Sequence, residues 1–452
     1  MIPAARLQSA IELVAAIEAA IAEGGPPADR QVAAFFARRR YAGAKDRAAV
    51  VDRVYGVLRR RAELLWRLGP GKDARNGAAA TGPAQLARRL VLAHLVLADG
   101  LGADEIAALF DGGRFAPAPL DEGERRLLAG LRQTPSEAPP GYIAGSYPVW
   151  LEDELGRRFG DDLVDEMRAL NERAPLDLRV NGLKGDRTEV REALAAAGCG
   201  VEDCPYSPVG LRLVDRRPVT SHEIFRDGRV EIQDEGSQLV ALIVDARPGM
   251  QVVDLCAGAG GKTLALAAAM GRRGQIYACD VDRRRLERMR PRLKRAGAHN
   301  VQRRHIASER DPWLAGLAGA ADRVLVDAPC SGTGTWRRNP DARWRLTPAA
   351  VERHAALQQR LLAAAAPLVR PGGRLVYATC SLLPAEDEDQ VDRFLAAEPG
   401  FRVVPVTEIW AEAVGGDCPT AGPYLLLTPR RHGVDGFFAA IFEREGAAGS
   451  EG

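Results

Sequence analysis

Two cysteines follow apolar segments that have the composition of buried strands. The run 324–330 ends in Cys330, and the run 375–380 ends in Cys380. In open α/β sheets, ligands bind in the crevice beyond the carboxyl ends of the strands, so two thiols at two such ends can face one substrate. A cysteine thiolate is suited to add to carbon 6 of a pyrimidine, which makes carbon 5 nucleophilic enough to be methylated. The pair therefore predicts covalent catalysis on a nucleobase.

The attacking thiol needs positive charge nearby. A free thiol has a pKa of about 8.5 and is mostly protonated at neutral pH. Lys262 and the arginines that follow Cys330, Arg337 and Arg338, are the available sources. After methylation the proton on carbon 5 must be removed and the covalent bond broken, which requires a base, and a second cysteine is one candidate. The residues alone leave open which thiol attacks.

Asp327 closes the strand that leads to Cys330. A carboxylate in that place can hydrogen-bond N3 or the amino edge of cytosine and stabilise the developing charge, or it can simply cap the loop. Trp336 follows with the two arginines, a combination suited to base stacking and phosphate contact. This part of the chain is therefore expected to contact a nucleic acid.

A glycine-rich loop follows the first strand of the same predicted sheet, at residues 254–263. It is not a Walker loop, because Cys256 stands where that motif requires its first glycine. Asp280, about twenty residues further on at the end of the next strand, can accept both hydroxyls of a ribose. A dinucleotide and S-adenosylmethionine both fit this arrangement. The thiol pair favours S-adenosylmethionine, because hydride transfer has no use for two thiols.

Composition limits the class of protein. The 452 residues exceed one ordinary domain, and a net charge of +2 gives no strong global field. Seven cysteines without Cys-x-x-Cys spacing and only six histidines argue against a disulfide framework or a structural metal site. The chain has no signal-peptide pattern and no apolar run near the ~20 residues that span a membrane. A cytoplasmic monomer with reduced thiols and no bound metal is expected.

Three regions follow one another along the chain. A helical periodicity runs through 6–132 with a loop at 69–82, a mixed pattern covers 142–246, and strands alternate with helices over 251–442. We predict a helical domain at 1–138, a small α+β module at 142–246 and a doubly wound α/β domain at 247–446. The strands expected in the last domain are 251–255, 275–280, 301–306, 323–327, 374–379, 424–428 and 436–442.

These motifs together resemble the Sun/RsmB type of bacterial RNA 5-methylcytosine methyltransferases. The matching stretches are 146–151, 233–238, 256–263, 327–334, 339–341, 378–381 and 435–438. The first region is similar to the NusB-like RNA-binding domain of that family. The resemblance implies a class I methyltransferase sheet of the Rossmann-like type, S-adenosyl-L-methionine as cofactor, and RNA rather than DNA as partner. The expected substrate is 16S ribosomal RNA. Transfer RNA, or a non-catalytic role in ribosome assembly, is the alternative.

The resemblance also implies roles for individual residues. Cys380 would attack, Cys330 would assist release, and Asp327 would contact the target base or the reacting end of the cofactor. This order is the reverse of that in DNA cytosine methyltransferases. One departure concerns the adenine, because Ser308 stands where the family usually carries an acid, with Glu309 beside it. The cofactor would be bound by Ser308 and Asp327 together with Cys256, Ala257, Gly258, Ala259, Gly260, Gly261, Lys262 and Asp280.

Overall fold

The computed structural model describes residues 1–69, 82–215 and 219–446, so residues 70–81 of the loop predicted at 69–82 lie outside the described residues. Contacts divide the chain into two compact units. One comprises Met1–Arg173 and Trp336–Thr347, and the other comprises Ala174–Thr335 and Pro348–Gly452. The division into three domains that the sequence suggests stays a prediction, since the contacts define two units. Within the described ranges, no helix is both long and apolar enough to cross a membrane.

The first unit is helical, as the periodicity of its apolar residues predicts. Leu13, Val14 and Ile17 on one face of the first helix are buried in a core shared with the third and fifth helices. The seventh helix begins at a capping box, in which Asp121 accepts from the backbone N–H of Glu124. The helices are α1 (Pro3–Glu23), α2 (Ala28–Arg38), α3 (Ala44–Arg59), α4 (Arg61–Arg67), α5 (Pro83–Leu97), α6 (Ala103–Leu109), α7 (Glu122–Leu131), α8 (Gly141–Ala144), α9 (Glu152–Phe159) and α10 (Leu163–Ala169).

The second unit begins with a small antiparallel sheet. Its strands are β1 (Leu176–Val180), β2 (Val201–Asp203), β3 (Gly210–Leu213) and β4 (Val230–Ile232), in the order β2-β3-β1-β4. Leu178, Val190 and Leu211 are fully buried in its core. The associated helices are α11 (Arg187–Ala196), α12 (Glu223–Arg226) and α13 (Glu235–Leu242). The strand β1 and the helix α11 agree with the mixed α+β pattern predicted at 142–246.

A larger sheet follows, with the order β10-β12-β9-β8-β5-β6-β7, and β11 pairs with β12. The strands β5 to β9 run parallel, whereas β12 is antiparallel to its neighbours. The strands are β5 (Gln251–Asp254), β6 (Gln275–Asp280), β7 (Val301–His305), β8 (Ala321–Asp327), β9 (Val369–Thr379), β10 (Phe401–Val404), β11 (Leu425–Leu427) and β12 (Phe437–Arg444). The helices of this part are α14 (Gly261–Ala269), α15 (Arg283–Ala296), α16 (Pro312–Ala315), α18 (Pro348–Ala365), α19 (Glu388–Ala397), α20 (Val406–Ala413) and α21 (Pro429–His432), and α17 (Ala342–Arg345) belongs to the helical unit.

Every strand predicted for this sheet is present, and two features differ. The strand β10 was not predicted, because four residues are too few to show a period of two, although Pro399-Gly400 and Pro405 bound them. The strand β9 begins at Val369 rather than 374, although Pro371 and two glycines follow within it. The pairing of β8 with β9 shifts register between Ala321 and Arg323, which accommodates that irregular start.

The order of the strands puts a crevice beside the predicted residues. The chain passes from β5 through β6 to β7 and then returns to β8 on the other side of β5, so the switch point lies between β5 and β8. The carboxyl ends of β9, β8, β5 and β6 are therefore neighbours. They carry, in that order, Cys380, Asp327, the glycine loop and Asp280.

The segment Trp336–Thr347 belongs to the helical unit although it lies between β8 and α18 in the chain. The guanidinium of Arg343, fully buried, donates to the carbonyl of Ser146 at 2.6 Å, and Asp341 accepts from the backbone N–H of Ala28 at 3.1 Å. Trp336 is fully buried and Arg337 is 4% exposed. The expectation that this tryptophan stacks on bases is therefore wrong, because its ring is buried and the guanidinium of Arg343 lies over it, 5.0 Å from the ring centroid.

Candidate active site

A cavity of about 760 Å³ lies at the carboxyl ends of the four neighbouring strands. It contains both cysteines, Asp327, Lys262 and Asp280, all of which the sequence had singled out. Its further lining includes Asp254, Ile306, Glu309, His354, Leu357 and Leu361. One cavity therefore joins the residues predicted for the cofactor to those predicted for chemistry, within a single compact unit.

The two thiols lie side by side, with their Sγ atoms 3.4 Å apart. Adjacent parallel strands bring them together, since Asp327 on β8 is level with Ala378 on β9. The carbonyl of Cys380 also accepts from the backbone N–H of Gly334 at 2.9 Å. The hydrogen bond to Cys380 and burial hold the pKa of Cys330 well above its ordinary value. Cys330 is therefore a neutral thiol at neutral pH.

A buried carboxylate, which the sequence did not reveal, fixes the loop that carries Cys330. Glu386 is fully buried and accepts from the backbone N–H of Ser331 at 2.9 Å and from the hydroxyl of that serine. Gln358 donates to the carbonyl of Pro329 at 3.0 Å and also contacts Glu386. These bonds hold the residues on both sides of Cys330. The position of Glu386, in a run of acidic residues typical of a solvated helix, gave no signal of such a role.

Lys262 forms an ion pair with Asp327, with 2.7 Å between Nζ and Oδ2. The lysine side chain is 9% exposed and the aspartate side chain 32% exposed, so the carboxylate is the partner that remains accessible from the cavity. The amino end of α14 and β8 hold the two groups. The lysine therefore orients Asp327. That the positive charge of Lys262 stabilises a thiolate stays a prediction. Arg337 and Arg338, the other predicted sources of positive charge, are not among the residues that line the cavity.

The glycine loop and Asp280 fit an adenosine. Gly258 and Gly260 have φ angles of +56° and +85°, and a Cβ at Gly260 would come within 2.5 Å of Met289. One carboxylate oxygen of Asp280 accepts from the backbone N–H of Gly258 at 2.7 Å, and the other accepts from Asp282 at 2.6 Å. Both oxygens are thus fixed at the cavity wall, and each retains lone pairs that can accept from a ribose hydroxyl.

Asp254, at the end of β5, is a buried acid that the sequence reading did not include among the site residues. It is 1% exposed and lines the cavity. Its Oδ2 accepts from the hydroxyl of Thr263 at 2.6 Å, whereas Oδ1 has no hydrogen-bond partner in the part of the chain that the structure describes. Burial raises the pKa of Asp254 to about 7. An unpaired carboxylate oxygen in this place fits a ligand that brings a positively charged group.

This raised pKa predicts a pH-dependent stability. Between its ordinary value of 3.8 and about 7, Asp254 binds a proton in the folded protein that the unfolded chain has released, so the free energy of unfolding falls as pH rises through this range. Asp254→Asn cannot titrate. We expect the free energy of unfolding of this variant, minus that of the native protein, to rise by a few kcal/mol between about pH 4 and pH 7 and to stay constant above pH 7. Thermal melts across this pH range measure the effect, and a pH-independent difference would contradict it.

Glu309, rather than Ser308, is among the residues that line the cavity. The hydroxyl of Ser308 accepts from the backbone N–H of Arg310 at 3.2 Å. Glu309 forms an ion pair with Arg360 at 2.7 Å, and its own backbone N–H and this guanidinium hold the pKa of Glu309 below its ordinary value. The apolar residues Ile306, Leu357 and Leu361 line the same cavity. The structure thus offers an ionised acceptor one residue beyond the predicted serine.

The fold and the cavity define a class I methyltransferase, with a Rossmann-like sheet, a glycine loop after its first strand and an acid at the end of the second. Residues 241–443 match a sequence model described as 16S rRNA methyltransferase RsmB/F, and residues 147–220 match the ferredoxin-like domain of RsmF/B-like methyltransferases. The chain belongs to the RsmB family of ribosomal RNA methyltransferases.

Individual relatives agree with this assignment. A probable ribosomal RNA small subunit methyltransferase B of Synechocystis is 38% identical over 304 residues, which are 66% of this chain and 67% of that protein. Ribosomal RNA small subunit methyltransferase B of Photorhabdus laumondii is 29% identical over 88% of this chain and 90% of its own length. Among solved structures, PH0851 is similar over 98% of this chain and 99% of its own, with a TM-score of 0.78 and 27% identity. A methyltransferase homologue from Pyrococcus horikoshii covers 67% of this chain and 97% of its own, with a TM-score of 0.58 and 28% identity.

Proposed function

We propose that this protein is an S-adenosylmethionine-dependent methyltransferase that modifies carbon 5 of a cytosine in 16S ribosomal RNA. The observation that carries the proposal is the pair of sulfur atoms 3.4 Å apart in a cavity that also holds a glycine loop and Asp280. Methylation at carbon 5 of a pyrimidine requires a nucleophile at carbon 6, and a thiol pair supplies one group to add and one to assist release. The names of the relatives, which are small-subunit ribosomal RNA methyltransferases, support the substrate.

Residues at one end of the cavity would hold the cofactor. S-Adenosylmethionine, when bound, supplies the electrophilic methyl group. Asp280 would accept the ribose hydroxyls, and the residues 256–262 would approach the ligand with their backbone. The unpaired Oδ1 of Asp254 would accept from the ammonium group of the methionine part, which neutralises a carboxylate that otherwise has no cationic partner at that oxygen.

The two thiols take different roles in this proposal. The sulfur of Cys380 forms a bond to carbon 6, so that carbon 5 becomes nucleophilic and accepts the methyl group. Release then requires removal of the proton from carbon 5 and cleavage of the carbon–sulfur bond, with the electron pair returning to Cys380. Bonding of the Cys380 sulfur to carbon 6 removes the hydrogen bond and the charge of Cys380 that raise the pKa of Cys330. Cys330, beside the attacking sulfur, can then lose its proton in the adduct and accept the proton from carbon 5. Cys330 therefore suits the release step.

Asp327 would recognise the cytosine. Its carboxylate, one-third exposed in the cavity, can accept from the exocyclic amino group or share a proton with N3. Either interaction stabilises the charge that develops in the ring when sulfur adds to carbon 6. Lys262 fixes the direction of that carboxylate through the 2.7 Å ion pair. In this proposal the ion pair would direct the acid toward the Watson–Crick edge, and the lysine would not need to contact the base.

Bisulfite sequencing of total RNA from a strain that lacks the gene tests the function and the substrate together. We expect one or more cytosines of 16S ribosomal RNA to lose protection, and re-expression of the native protein to restore it. Loss of protection in transfer RNA instead would establish the alternative substrate. No lost site, together with no binding of S-adenosylhomocysteine by the purified protein in calorimetry, would establish a non-catalytic role.

Replacing Glu309 tests how the adenine is bound. If its carboxylate accepts from the exocyclic amino group of adenine, Glu309→Gln should weaken S-adenosylhomocysteine binding about tenfold, since a charged hydrogen bond is replaced by a neutral one. Ser308→Ala is the matched control, and we expect it to change affinity by less than about twofold. Calorimetry measures both. If Ser308→Ala lowers the affinity more than Glu309→Gln does, the serine contacts the adenine, as the sequence predicted.

A further inference from the structure

We propose that Cys330 and Cys380 are also a modification site, at which a peroxide converts the two thiols to a disulfide that reversibly closes the active site. The formation of the bond depends only on the geometry of the pair. The loss of activity that it causes rests on the proposed function, because it assumes that Cys380 must be free to attack.

The geometry brings the two sulfurs close to bonding distance. They lie 3.4 Å apart, so a disulfide requires an approach of about 1.4 Å. The two cysteines follow adjacent parallel strands, and backbone hydrogen bonds join their loops. Ala328 donates to the carbonyl of Ala378 at 2.8 Å, and Gly334 donates to that of Cys380 at 2.9 Å. These bonds keep the two loops together, so side-chain rotation and a small loop movement suffice to close the distance.

The cavity gives a small oxidant access to both sulfurs. Cys330 and Cys380 are partly exposed and both line the 760 Å³ space. Cys199, Cys204 and Cys279 are buried, with at most 7% of their surface exposed. Cys256 and Cys418 are also partly exposed, but within the described residues neither makes a sulfur–sulfur contact like the one at 3.4 Å between Cys330 and Cys380. Selective oxidation of the pair follows from access and from the presence of a partner thiol.

The reaction balances in two steps. The sulfur of Cys380 attacks one oxygen of hydrogen peroxide, the oxygen–oxygen bond breaks, and the products are a cysteine sulfenic acid and water. The sulfur of Cys330 then attacks the sulfenic sulfur, the sulfur–oxygen bond breaks, and a second water leaves. The two thiols lose two electrons and two protons, and one peroxide is reduced to two waters. Because the pKa of Cys330 is raised, Cys380 is the thiol expected to react first.

The test uses the full-length protein, purified under reducing conditions, freed of reductant and treated with increasing hydrogen peroxide. After alkylation of the remaining thiols, we expect the intact mass of a protein that carries two alkyl groups fewer than the fully reduced, fully alkylated protein. The mass should also be lower by the two hydrogens that the disulfide removes. A non-reducing peptide map should contain a peptide that joins Cys330 to Cys380. Methyl transfer should fall in proportion to this linked peptide and return after dithiothreitol.

Two variants make the result specific. Cys330→Ser should give no linked peptide, and Cys380 should instead proceed to sulfinic acid, because the resolving thiol is absent. Cys418→Ser, at a cysteine outside the cavity, should form the linked peptide and lose activity as the native protein does. The intact mass and the peptide map both detect the disulfide without any need for enzymatic activity.

Three outcomes would overturn the proposal. The first is that both thiols remain alkylatable at peroxide concentrations that oxidise other cysteines. The second is a link from Cys256 to either partner in place of the predicted pair. The third is a complete Cys330–Cys380 link that leaves methyl transfer unchanged. Failure of the proposed function is distinguishable from all three, because it would give a protein that forms the link but has no methyl transfer before oxidation.

Discussion

Replacing Cys380 with alanine should abolish methyl transfer, by about 10⁴-fold or more, whereas replacing Cys330 with alanine should leave RNA covalently bound to the protein. The first variant lacks the nucleophile, so carbon 5 is never activated. The second can add to carbon 6 and accept the methyl group, but it lacks the thiol that lies 3.4 Å from the attacking sulfur and is suited to assist release. Transfer of a labelled methyl group measures the first effect. A denaturation-resistant protein–RNA band on a gel measures the second.

The adduct must depend on Cys380 if the roles are correct. The double variant with alanine at both positions should therefore give neither methyl transfer nor the resistant band. Cys418→Ser serves as the matched single-cysteine control and should retain activity without an adduct, because its sulfur is outside the cavity. If Cys380→Ala remains active while Cys330→Ala is inactive without an adduct, the two roles are reversed.

Asp327→Asn should reduce kcat by about 10² to 10³ while it changes the affinity for S-adenosylhomocysteine much less. An amide cannot share a proton with N3 as a carboxylate can, and it no longer forms the ion pair with Lys262. The lysine side chain is only 9% exposed, so removing its partner also leaves a poorly hydrated charge. A drop in melting temperature is therefore expected beside the loss of activity. Single-turnover methyl transfer, calorimetry and thermal melts measure the three quantities.

A double variant separates charge pairing from chemistry. Lys262→Met combined with Asp327→Asn removes both charges, so stability should recover relative to Asp327→Asn while kcat stays low. Asp322→Asn is the matched control on the same strand, since Asp322 lies at the opposite end of β8 and pairs with Arg370. Its kcat should remain within about twofold of the native value. Recovery of kcat in the double variant would show that Asp327 acts only by neutralising the lysine.

Most of the sheet could be predicted because its strands carry a local signal. Continuous apolar runs that end in a polar residue or a glycine loop identify β5, β6, β8 and β12 without any partner strand. The strand β10 escaped prediction because four residues of mixed burial have no periodicity of their own and depend on pairing with β12. Trp336 and Arg337 were assigned to RNA contact because their types suit it. Their burial in the helical unit depends on residues far away in the chain.

The sequence by itself determined the types of residue that follow each strand: two thiols, an acid before one of them, a glycine loop and a second acid. Those are local properties, and they indicated the class of chemistry. Only the tertiary structure decided which of these groups meet. Strand order and register bring Cys330 within 3.4 Å of Cys380 and pair Lys262 with Asp327, and buried Glu386 binds Ser331, the residue after the first thiol. Such contacts join residues up to 65 positions apart in the chain, with no spacing rule between them, so no pattern along the sequence could report them.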